Sequence, residues 1–324
     1  MRFIFMGTPD FAVTSLRALA QAGREIVGVF TQPDRQAGRG KRLQPSAVKT
    51  AALELGLPVY QPEKIKTAES SDLLRSLHPD CLIVVAYGQI LSPEILALPP
   101  RGCINVHASL LPAYRGAAPI HWAVMHGQAM SGVTTMLMDE GLDTGDILLQ
   151  RACPIGPQTT SGELHDRLAE EGAQLLVETL AQWEQGSLRS IAQQGESSYA
   201  PRLGREDERL DWRQCAGDVH NRIRGLNPWP GAYTTWRNDL VKVWRSQTVA
   251  PISFKEVPGA AQPGQIIRLS EEGLLVQTGQ GQIILRELQP TGKRRMSAQE
   301  FWRGRRIQPG ELLGESGAEE DRHG

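Results

Sequence analysis

The chain has 324 residues, of which 40% are hydrophobic and 22% are charged, and its formal net charge at pH 7 is −1. This composition excludes a disordered or fibrous protein, and the length allows two domains that each bury a core. No stretch reaches the roughly 18 uncharged apolar residues of a membrane helix, and the apolar start at residues 1–6 is too short for a secretory signal, so we expect a cytoplasmic protein.

The first half of the chain alternates short apolar runs with helical spacing. The runs are continuous, which is typical of strands that are covered on both faces. This pattern predicts an α/β domain with a Rossmann-like, doubly wound parallel sheet. The predicted strands are residues 2–6, 25–31, 57–60 and 81–86, and the predicted helices are residues 11–22, 45–56 and 70–77.

A long helix and then short β-rich runs follow. Thr160 to Glu163 has the spacing of a capping box and predicts a helix that ends near residue 185. After a polar segment that contains Gly and Pro, β-rich runs separated by turn residues predict a small all-β, OB-like barrel. We therefore predict a first domain at residues 1–189, a linker at 190–208, a barrel domain at 209–313 and a disordered acidic tail at 314–324.

The near-neutral net charge hides an asymmetry along the chain. Residues 209–308 contain 16 Lys and Arg against 8 Asp and Glu, whereas residues 309–324 carry a net charge of −4. Cationic side chains gain free energy when they replace counterions on phosphates. The basic block therefore indicates either a polyanionic partner or a solvated Arg-rich surface, and charge alone does not choose between them.

A second group of cations follows the second predicted strand. Arg35, Arg39, Lys41 and Arg42 lie within eight residues on a loop that also contains glycines. The spacing differs from that of a Walker loop, so the pattern does not predict a nucleotide-phosphate site. The loop has the charge to reach a nucleic-acid backbone, and the alternative is an exposed loop that is only solvated.

Polar side chains gather at the end of a further predicted strand, at residues 102–107. Asn105 and His107 are two residues apart, so they share a face of that strand. An amide donor beside an imidazole can stabilise an oxyanion and move protons, and open α/β sheets bind ligands at the carboxyl ends of their strands. A histidine without further partners more often only ends a strand, so this pair needs support from elsewhere.

An acidic turn offers such support. Four carboxylates lie among residues 139–146, between β-like runs at 132–138 and 147–152. The turn can bring one carboxylate beside an imidazole, although solvation is the common role of acidic turns. We expect no metal, because the turn offers only oxygen ligands without calcium-loop spacing and the four cysteines show no zinc-binding pattern.

The sequence around these side chains resembles the folate-dependent formyltransferase family. Asn105-x-His107-x-Ser109-Leu110-Leu111-Pro112, followed by Asp143, is similar to the Asn–His–Asp site and the folate-holding segment of that family. Other stretches resemble the branch of the family that formylates methionyl initiator tRNA, and the likeness spans residues 1 to about 313. They are residues 7–11, 31–41, 114–120, 141–146, 227–230, 241–244, 288–293 and 296–298.

The resemblance implies an activity and its catalytic residues. The amine of methionyl initiator tRNA would attack the formyl carbon of 10-formyltetrahydrofolate. Asn105 and a protonated His107 would stabilise the oxyanion, and Asp143 would orient His107 or take the amine proton. The folate contacts implied by the resemblance are Tyr87, Gly88, Ser109, Leu110, Leu111 and Pro112, and the tRNA contacts are Arg35, Arg39, Lys41, Arg42, Lys293 and Arg294. We expect a monomer.

Three alternatives stay open at this point. A folate-dependent formyltransferase that acts on a sugar nucleotide or a purine precursor would keep Asn105, His107 and Asp143 but would not need the basic residues. A non-catalytic RNA-binding protein would have no use for those three side chains. A nicotinamide dehydrogenase would need a GxGxxG fingerprint, which Gly7-Thr8-Pro9-Asp10 does not provide.

Overall fold

The computed structural model describes residues 1–37, 42–249 and 261–314. This part of the chain forms two compact units. The first unit consists of Met1–Pro119, Met130–Pro154 and His165–Pro201. The second unit consists of Ile120–Ala129, Ile155–Leu164 and the described chain from Arg202 onward.

The strands and helices predicted for the first half lie within two residues of their predicted bounds, and the structure adds further short elements there. The strands are β1 (Arg2–Gly7), β2 (Glu25–Phe30), β3 (Arg35–Ala37), β4 (Arg42–Gln44), β5 (Val59–Tyr60), β6 (Cys81–Val85), β7 (Cys103–His107), β8 (Arg115–Gly116), β9 (Met130–Leu137), β10 (Ile147–Pro154), β11 (Tyr199–Ala200), β12 (Tyr233–Trp236), β13 (Asp239–Thr248), β14 (Ile266–Leu269), β15 (Leu274–Gln277), β16 (Gln282–Pro290) and β17 (Met296–Ser297). The helices are α1 (Asp10–Gln21), α2 (Ala47–Glu54), α3 (Ala68–Ser76), α4 (Pro93–Leu96), α5 (Pro119–Met125), α6 (Ser161–Glu184), α7 (Ala216–Gly225) and α8 (Ala298–Arg305). Among the helices of the described ranges, none is long and apolar enough to cross a membrane.

Within the described residues, the main sheet of the first unit has seven strands in the order β10-β9-β7-β6-β1-β2-β5. The strands from β7 to β5 in this order are parallel, whereas β9 pairs antiparallel with both β7 and β10. The predicted Rossmann-like class is confirmed, and the structure makes the sheet a mixed one. A short loop joins β9 to β10, and it allows only an antiparallel pair because a parallel crossover needs about a dozen residues or more.

The centre of this sheet is buried on both faces, which explains the continuous apolar runs in the sequence. Every side chain from Phe3 to Met6 on β1 has no exposed surface, and β6 is buried along its whole length. Helix α1 covers the sheet with the fully buried Leu16 and Leu19. Each such leucine contributes about 1.5–3 kcal/mol through burial, so the core holds the strand ends, where the site loops begin, in fixed positions.

The second unit is built on an antiparallel sheet in the order β12-β13-β16-β15-β14, with β17 paired to β16. The sheet curls into a half-barrel and confirms the predicted β domain. Trp236 and Phe301 meet edge to face in its core, with ring centroids 5.5 Å apart. The buried Trp212 donates its indole N–H to the Thr234 hydroxyl over 2.9 Å, so its polar group is satisfied inside the core.

The predicted four-part division of the chain stays a prediction. In the structure the break between the units follows Pro201, inside the predicted linker at 190–208. Two segments within the predicted first domain, Ile120–Ala129 and Ile155–Leu164, group with the second unit. Met125 of the first segment packs in the hydrophobic core of the second unit, and His220 hydrogen-bonds the carbonyl of Pro157 in the second segment over 2.9 Å.

Candidate active site

The carboxyl ends of the parallel strands form one edge of the main sheet. β2 and β6 lie on opposite sides of β1, so the strand order reverses between β1 and β6. Thr8 follows β1 and Tyr87 follows β6, and the Thr8 hydroxyl donates to the Tyr87 carbonyl over 2.8 Å. Open α/β sheets bind ligands in the crevice at such a reversal.

Asn105 and His107 lie on β7, next to β6, and their alternation places them on one face. His107 ends the strand and is 7% exposed. Its Nε2 lies 2.9 Å from the carbonyl oxygen of Tyr114, and this nitrogen donates because a carbonyl can only accept. Its Nδ1 lies 3.7 Å from Oδ2 of Asp143, so the structure brings the predicted histidine and carboxylate together.

Asp143 lies in the loop between β9 and β10, and several contacts fix it there. Its backbone is left-handed, with φ of 53°. Its Oδ2 accepts a hydrogen bond of 2.8 Å from the N–H of Gly116, and its side chain is 12% exposed. Gly145 keeps the loop close to β9, because a Cβ at this position would lie 1.8 Å from the Leu137 carbonyl oxygen.

The arrangement suits addition of a nucleophile to a carbonyl group. Both ring nitrogens of His107 face oxygen acceptors, which are the Tyr114 carbonyl and the Asp143 carboxylate. An imidazolium held in this way can stabilise negative charge that develops on a carbonyl oxygen, and the Asn105 amide can add a second donor. Asp143 supplies the opposite charge that accompanies the imidazolium.

The segment at residues 109–112 is held by a buried threonine of β9. The Thr134 hydroxyl donates to the Ser109 carbonyl over 2.7 Å and accepts from the Leu111 N–H over 3.2 Å. Gln150 donates to both the Leu111 carbonyl and the Thr134 hydroxyl, at 2.9 Å each. The backbone of this segment is therefore set by the sheet itself.

Three of the predicted folate contacts, Tyr87, Ser109 and Leu111, have buried side chains. The Ser109 hydroxyl is 1% exposed and donates to a carbonyl four residues further on. Burial raises the pKa of the Tyr87 phenol to about 12, and the ring lies in the apolar core. Leu110 and Pro112 are half-buried, and Gly88 continues the loop after β6 with φ of 88°. The backbone carbonyls of Tyr87 and Ser109 also accept hydrogen bonds already, from the hydroxyls of Thr8 and Thr134.

The basic loop of the first unit is described at its two ends. Arg35 is exposed at the start of β3, and Arg42 begins β4, which pairs antiparallel with β3. Arg39 and Lys41 lie outside the described residues. The two ends of the loop therefore form a short antiparallel hairpin stem.

The cations predicted at the end of the half-barrel are exposed. Lys293 and Arg294 lie in the turn between β16 and β17. Arg294 donates to Glu300 over 2.8 Å, and the next residue, Arg295, stacks 3.6 Å from the ring centroid of Trp244. The charge of Lys293 is thus more available to a phosphate than the charges of Arg294 and Arg295.

Sequence reasoning missed three groups that shape the site. The Tyr114 carbonyl contacts His107, the Gly116 N–H contacts Asp143, and the Gln193 side chain donates to the Asp143 carbonyl. The first two are backbone groups, which a side-chain pattern cannot reveal. Gln193 lies in a polar stretch whose composition predicted a linker, so no local signal pointed to it.

Candidate metal ligands and cysteines can be located in the described part of the chain. There, no group of three or more His, Cys, Asp or Glu side chains is placed to hold a metal ion. The four cysteines are free, and burial raises the pKa of the Cys103 thiol to about 12. A thiol with so high a pKa is a poor nucleophile at neutral pH.

Both parts of the chain match known protein families. Residues 1–180 match the formyl transferase family, and residues 202–306 match the formyl transferase C-terminal domain.

Curated relatives match almost the whole chain. The methionyl-tRNA formyltransferase of Desulforamulus reducens is 51% identical over 318 residues, which cover 98% of this chain and 99% of the relative. The methionyl-tRNA formyltransferase of Pelotomaculum thermopropionicum is 52% identical over 316 residues, again 98% of this chain and 99% of the relative.

Solved structures with much lower identity share the fold. The N-formyltransferase of Helicobacter canadensis, in complex with folinic acid and dTDP-3-aminofucose, superposes with a TM-score of 0.65 at 20% identity and covers 87% of this chain and 98% of that one. HypX of Aquifex aeolicus, in complex with tetrahydrofolic acid, gives a TM-score of 0.61 at 18% identity, and the match covers 98% of this chain but 51% of that one.

Proposed function

Because the chain belongs to the formyl transferase family, we propose that it transfers the formyl group of 10-formyltetrahydrofolate to the amino group of methionyl initiator tRNA. The product is N-formylmethionyl-tRNA for translation initiation. The observation that carries this proposal is the identity of about half of all residues, over nearly the whole chain, with methionyl-tRNA formyltransferases. Asn105 and His107, at the end of β7, are the proposed catalytic side chains.

The reaction is an acyl transfer between two nitrogens. The methionyl amine attacks the formyl carbon, a C–N bond forms, and the carbonyl oxygen becomes an oxyanion. The bond from the formyl carbon to N10 of the folate then breaks. The attacking amine loses one proton and N10 gains one, so the products are the formylated tRNA and tetrahydrofolate.

The oxyanion needs donors, and Asn105 and protonated His107 are the candidates. They share a face at the carboxyl end of β7. One preorganised donor contributes about 2.7–4 kcal/mol to such a transition state. In the structure the His107 Nε2 donates to Tyr114, so this carbonyl has to share or release that N–H when the oxyanion forms.

Asp143 has two compatible roles. Its carboxylate faces Nδ1 of His107 at 3.7 Å, which orients the ring and balances its charge. It can also accept the proton that leaves the attacking amine, directly or through water. In either role its position relative to His107 decides the rate.

The folate is proposed to lie at the strand reversal between β1 and β6. Residues 109–112 form one wall, and Tyr87 and Gly88 approach the pterin from the loop after β6. Since the ring of Tyr87 is buried, the hydroxyl of Ser109 is bonded and both carbonyls accept hydrogen bonds, these two residues are proposed to contact the folate through their backbone N–H groups. Leu110 and Pro112 offer partly exposed apolar surface.

The tRNA is proposed to meet cations at two places. Arg35, Arg39, Lys41 and Arg42 would contact the acceptor end, and Lys293 and Arg294 would contact phosphates further along the acceptor arm. Residues 209–308 contain 16 Lys and Arg against 8 Asp and Glu, and this basic surplus supports the proposed contact of Lys293 and Arg294 with phosphates. The monomeric state, the cytoplasmic location and the lack of a metal stay predictions from the sequence.

A formyl-transfer assay tests the proposed function. 10-Formyltetrahydrofolate is supplied with methionyl initiator tRNA, with methionyl elongator tRNA, and with an aminated sugar nucleotide. We expect folate-dependent formylation of the initiator tRNA. Transfer to the sugar nucleotide alone would contradict the proposal and leave the basic residues without a partner.

Two variants separate catalysis from tRNA binding. His107→Ala is expected to lower kcat by about 100-fold or more, because one oxyanion donor is lost, with little change in tRNA affinity. Arg39→Ala is expected to weaken tRNA binding and to flatten its salt dependence. Full activity of His107→Ala would remove this residue from the mechanism.

A further inference from the structure

Residues 191–200 run beside the loops that build the candidate active site. Ile191 exchanges backbone hydrogen bonds with Ile147, the first residue of β10, at 2.9 and 2.8 Å. Further along, the Ser198 carbonyl accepts from the N–H of Arg115 over 2.8 Å. This segment therefore fastens both the end of the Asp143 loop and the start of β8.

The side chain of Gln193 joins the same two loops. Its Oε1 accepts from the guanidinium of Arg115, at 3.1 Å from Nε and 2.6 Å from Nη2. Its Nε2 donates to the carbonyls of Asp143 and Gly145, at 2.8 Å each. A guanidinium only donates and a carbonyl only accepts, so these partners fix the orientation of the amide and use its full hydrogen-bonding capacity.

These bonds act on the backbone that presents the Asp143 carboxylate. Asp143 has φ of 53°, a conformation that is uncommon for residues with a side chain and needs support from its surroundings. Gln193 holds the carbonyl of Asp143, and it also holds the guanidinium of Arg115, which directly precedes Gly116. The N–H of Gly116 donates to the Asp143 carboxylate, so one amide fixes both sides of that hydrogen bond.

We propose that Gln193 is a positioning residue for formyl transfer, which sets the Asp143 carboxylate against His107 without contacting the reacting atoms. The inference rests on the catalytic role proposed for Asp143. A positioning role predicts a loss of kcat rather than of substrate binding, since the residue acts on the geometry of the transition state.

The first test is steady-state kinetics of Gln193→Ala with methionyl initiator tRNA and 10-formyltetrahydrofolate. We expect kcat to fall about 10- to 100-fold, the range that follows loss of a supporting contact or a misplacement near 1 Å. KM for both substrates should stay within about threefold, if geometry is what changes. The exposed neighbour supplies the control, and Gln194→Ala should match the wild type.

A second variant distinguishes positioning from a simple anchor for Arg115. Gln193→Glu keeps an acceptor for the guanidinium but places a carboxylate against the carbonyls of Asp143 and Gly145. We expect its kcat to be at least as low as that of Gln193→Ala. Recovery of activity in Gln193→Glu would mean that only the Arg115 contact matters and would overturn the proposal.

A double-mutant cycle measures whether Gln193 and Asp143 affect kcat together, which a purely structural role of Gln193 would not predict. In an Asp143→Asn background, the added Gln193→Ala change should lower kcat by less than about twofold, because residues that act as a unit are not additive. An equal loss in both backgrounds would show that Gln193 acts independently of Asp143, and would overturn this inference alone. Full activity of Asp143→Asn would instead overturn the role proposed for Asp143, and the inference with it.

Discussion

Thr134 lies on β9 with no exposed surface, and its hydroxyl contacts both the segment at residues 109–112 and β10. It donates to Ser109, and it accepts from Leu111 and from Gln150. Thr134→Val keeps the shape of the side chain but leaves these groups without their partner inside the protein. We expect the free energy of unfolding of this variant to fall by about 1–3 kcal/mol, measured by chemical denaturation.

The same variant should loosen the segment proposed to hold the folate. KM for 10-formyltetrahydrofolate is expected to rise several-fold, with a smaller change for the tRNA. Thr50→Val serves as a control, since Thr50 is exposed on α2. An unchanged KM with the expected loss of stability would separate residues 109–112 from folate binding.

Gly145 shows how closely the Asp143 loop approaches β9. A methyl group at this position would lie 1.8 Å from the Leu137 carbonyl oxygen, so Gly145→Ala must displace the loop. We expect kcat to fall about 10- to 100-fold, because a shift of the carboxylate near 1 Å misplaces it relative to His107. Pre-steady-state formyl transfer with saturating substrates measures this step.

A glycine in open space provides the comparison for this variant. Gly304 lies on α8, and nothing lies within 4 Å of the Cβ that alanine would add. Gly304→Ala should keep full kcat and gain about 0.5–1 kcal/mol of stability from helix propensity. Equal kinetics in the two alanine variants would show that the Asp143 loop tolerates displacement.

At the scale of elements, α7 carries a histidine that is built into the packing of the second unit. His220 is 6% exposed; the Ser246 hydroxyl bonds its Nδ1, and its Nε2 donates to the Pro157 carbonyl, at 2.9 Å each. A neutral imidazole satisfies both contacts. Burial lowers the pKa of His220 below its ordinary value of 6.5, and the nearby Arg224 guanidinium lowers it further.

This shift makes stability depend on pH in a definite direction. Below about pH 6.5 the unfolded chain binds a proton at His220 that the folded chain resists. The free energy of unfolding should therefore fall as the pH drops through this value and rise again as the pH increases. Urea unfolding between pH 5 and pH 8 is expected to show a steeper pH dependence in the wild type than in His220→Gln. Equal slopes would mean that His220 does not contribute.

At the scale of the whole molecule, charge is distributed unevenly along the chain, and the proposed tRNA contacts rest on that distribution. Lys293 is exposed in the basic block at residues 209–308. Lys293→Ala should weaken tRNA binding and reduce the slope of log affinity against log salt by about one. Binding measured at several salt concentrations gives this slope directly.

A cation outside the proposed contacts tests whether the effect belongs to Lys293. Arg101 is exposed just before β7, at the amino ends of the parallel strands and thus opposite the candidate site. Arg101→Ala removes the same charge and should leave the salt slope unchanged. If both variants lowered the slope equally, net charge rather than a contact at Lys293 would govern binding.

Much of the fold could be predicted from the sequence because the signals are local. The apolar runs of β1 and β6 are continuous since these strands are buried on both faces. The helices between them carry their own spacing, and the side chains of Ser46 and Thr67 cap α2 and α3. The antiparallel edge formed by β9 and β10 could not be read in this way. Strand direction depends on which strands meet, and a run of apolar residues does not specify its neighbour.

The candidate site, too, could be predicted from the sequence only in part. Asn105 and His107 are two residues apart on one strand, so their alternation alone predicts that they share a face, and the resemblance to a family pointed to Asp143. The contacts that set their geometry come from Tyr114, Gly116 and Gln193, which local patterns do not distinguish from any loop residue.

The sequence by itself therefore determined the main strands and helices, the two-domain character, the charge asymmetry and the candidate pair Asn105 and His107. Each of these depends on neighbours within a few positions or on residue type. Only the tertiary structure decided that residues 191–200 support the site, because Gln193 is 50 positions from Asp143 and 78 from Arg115. Contacts over such separations depend on how the whole chain packs, which no local pattern records.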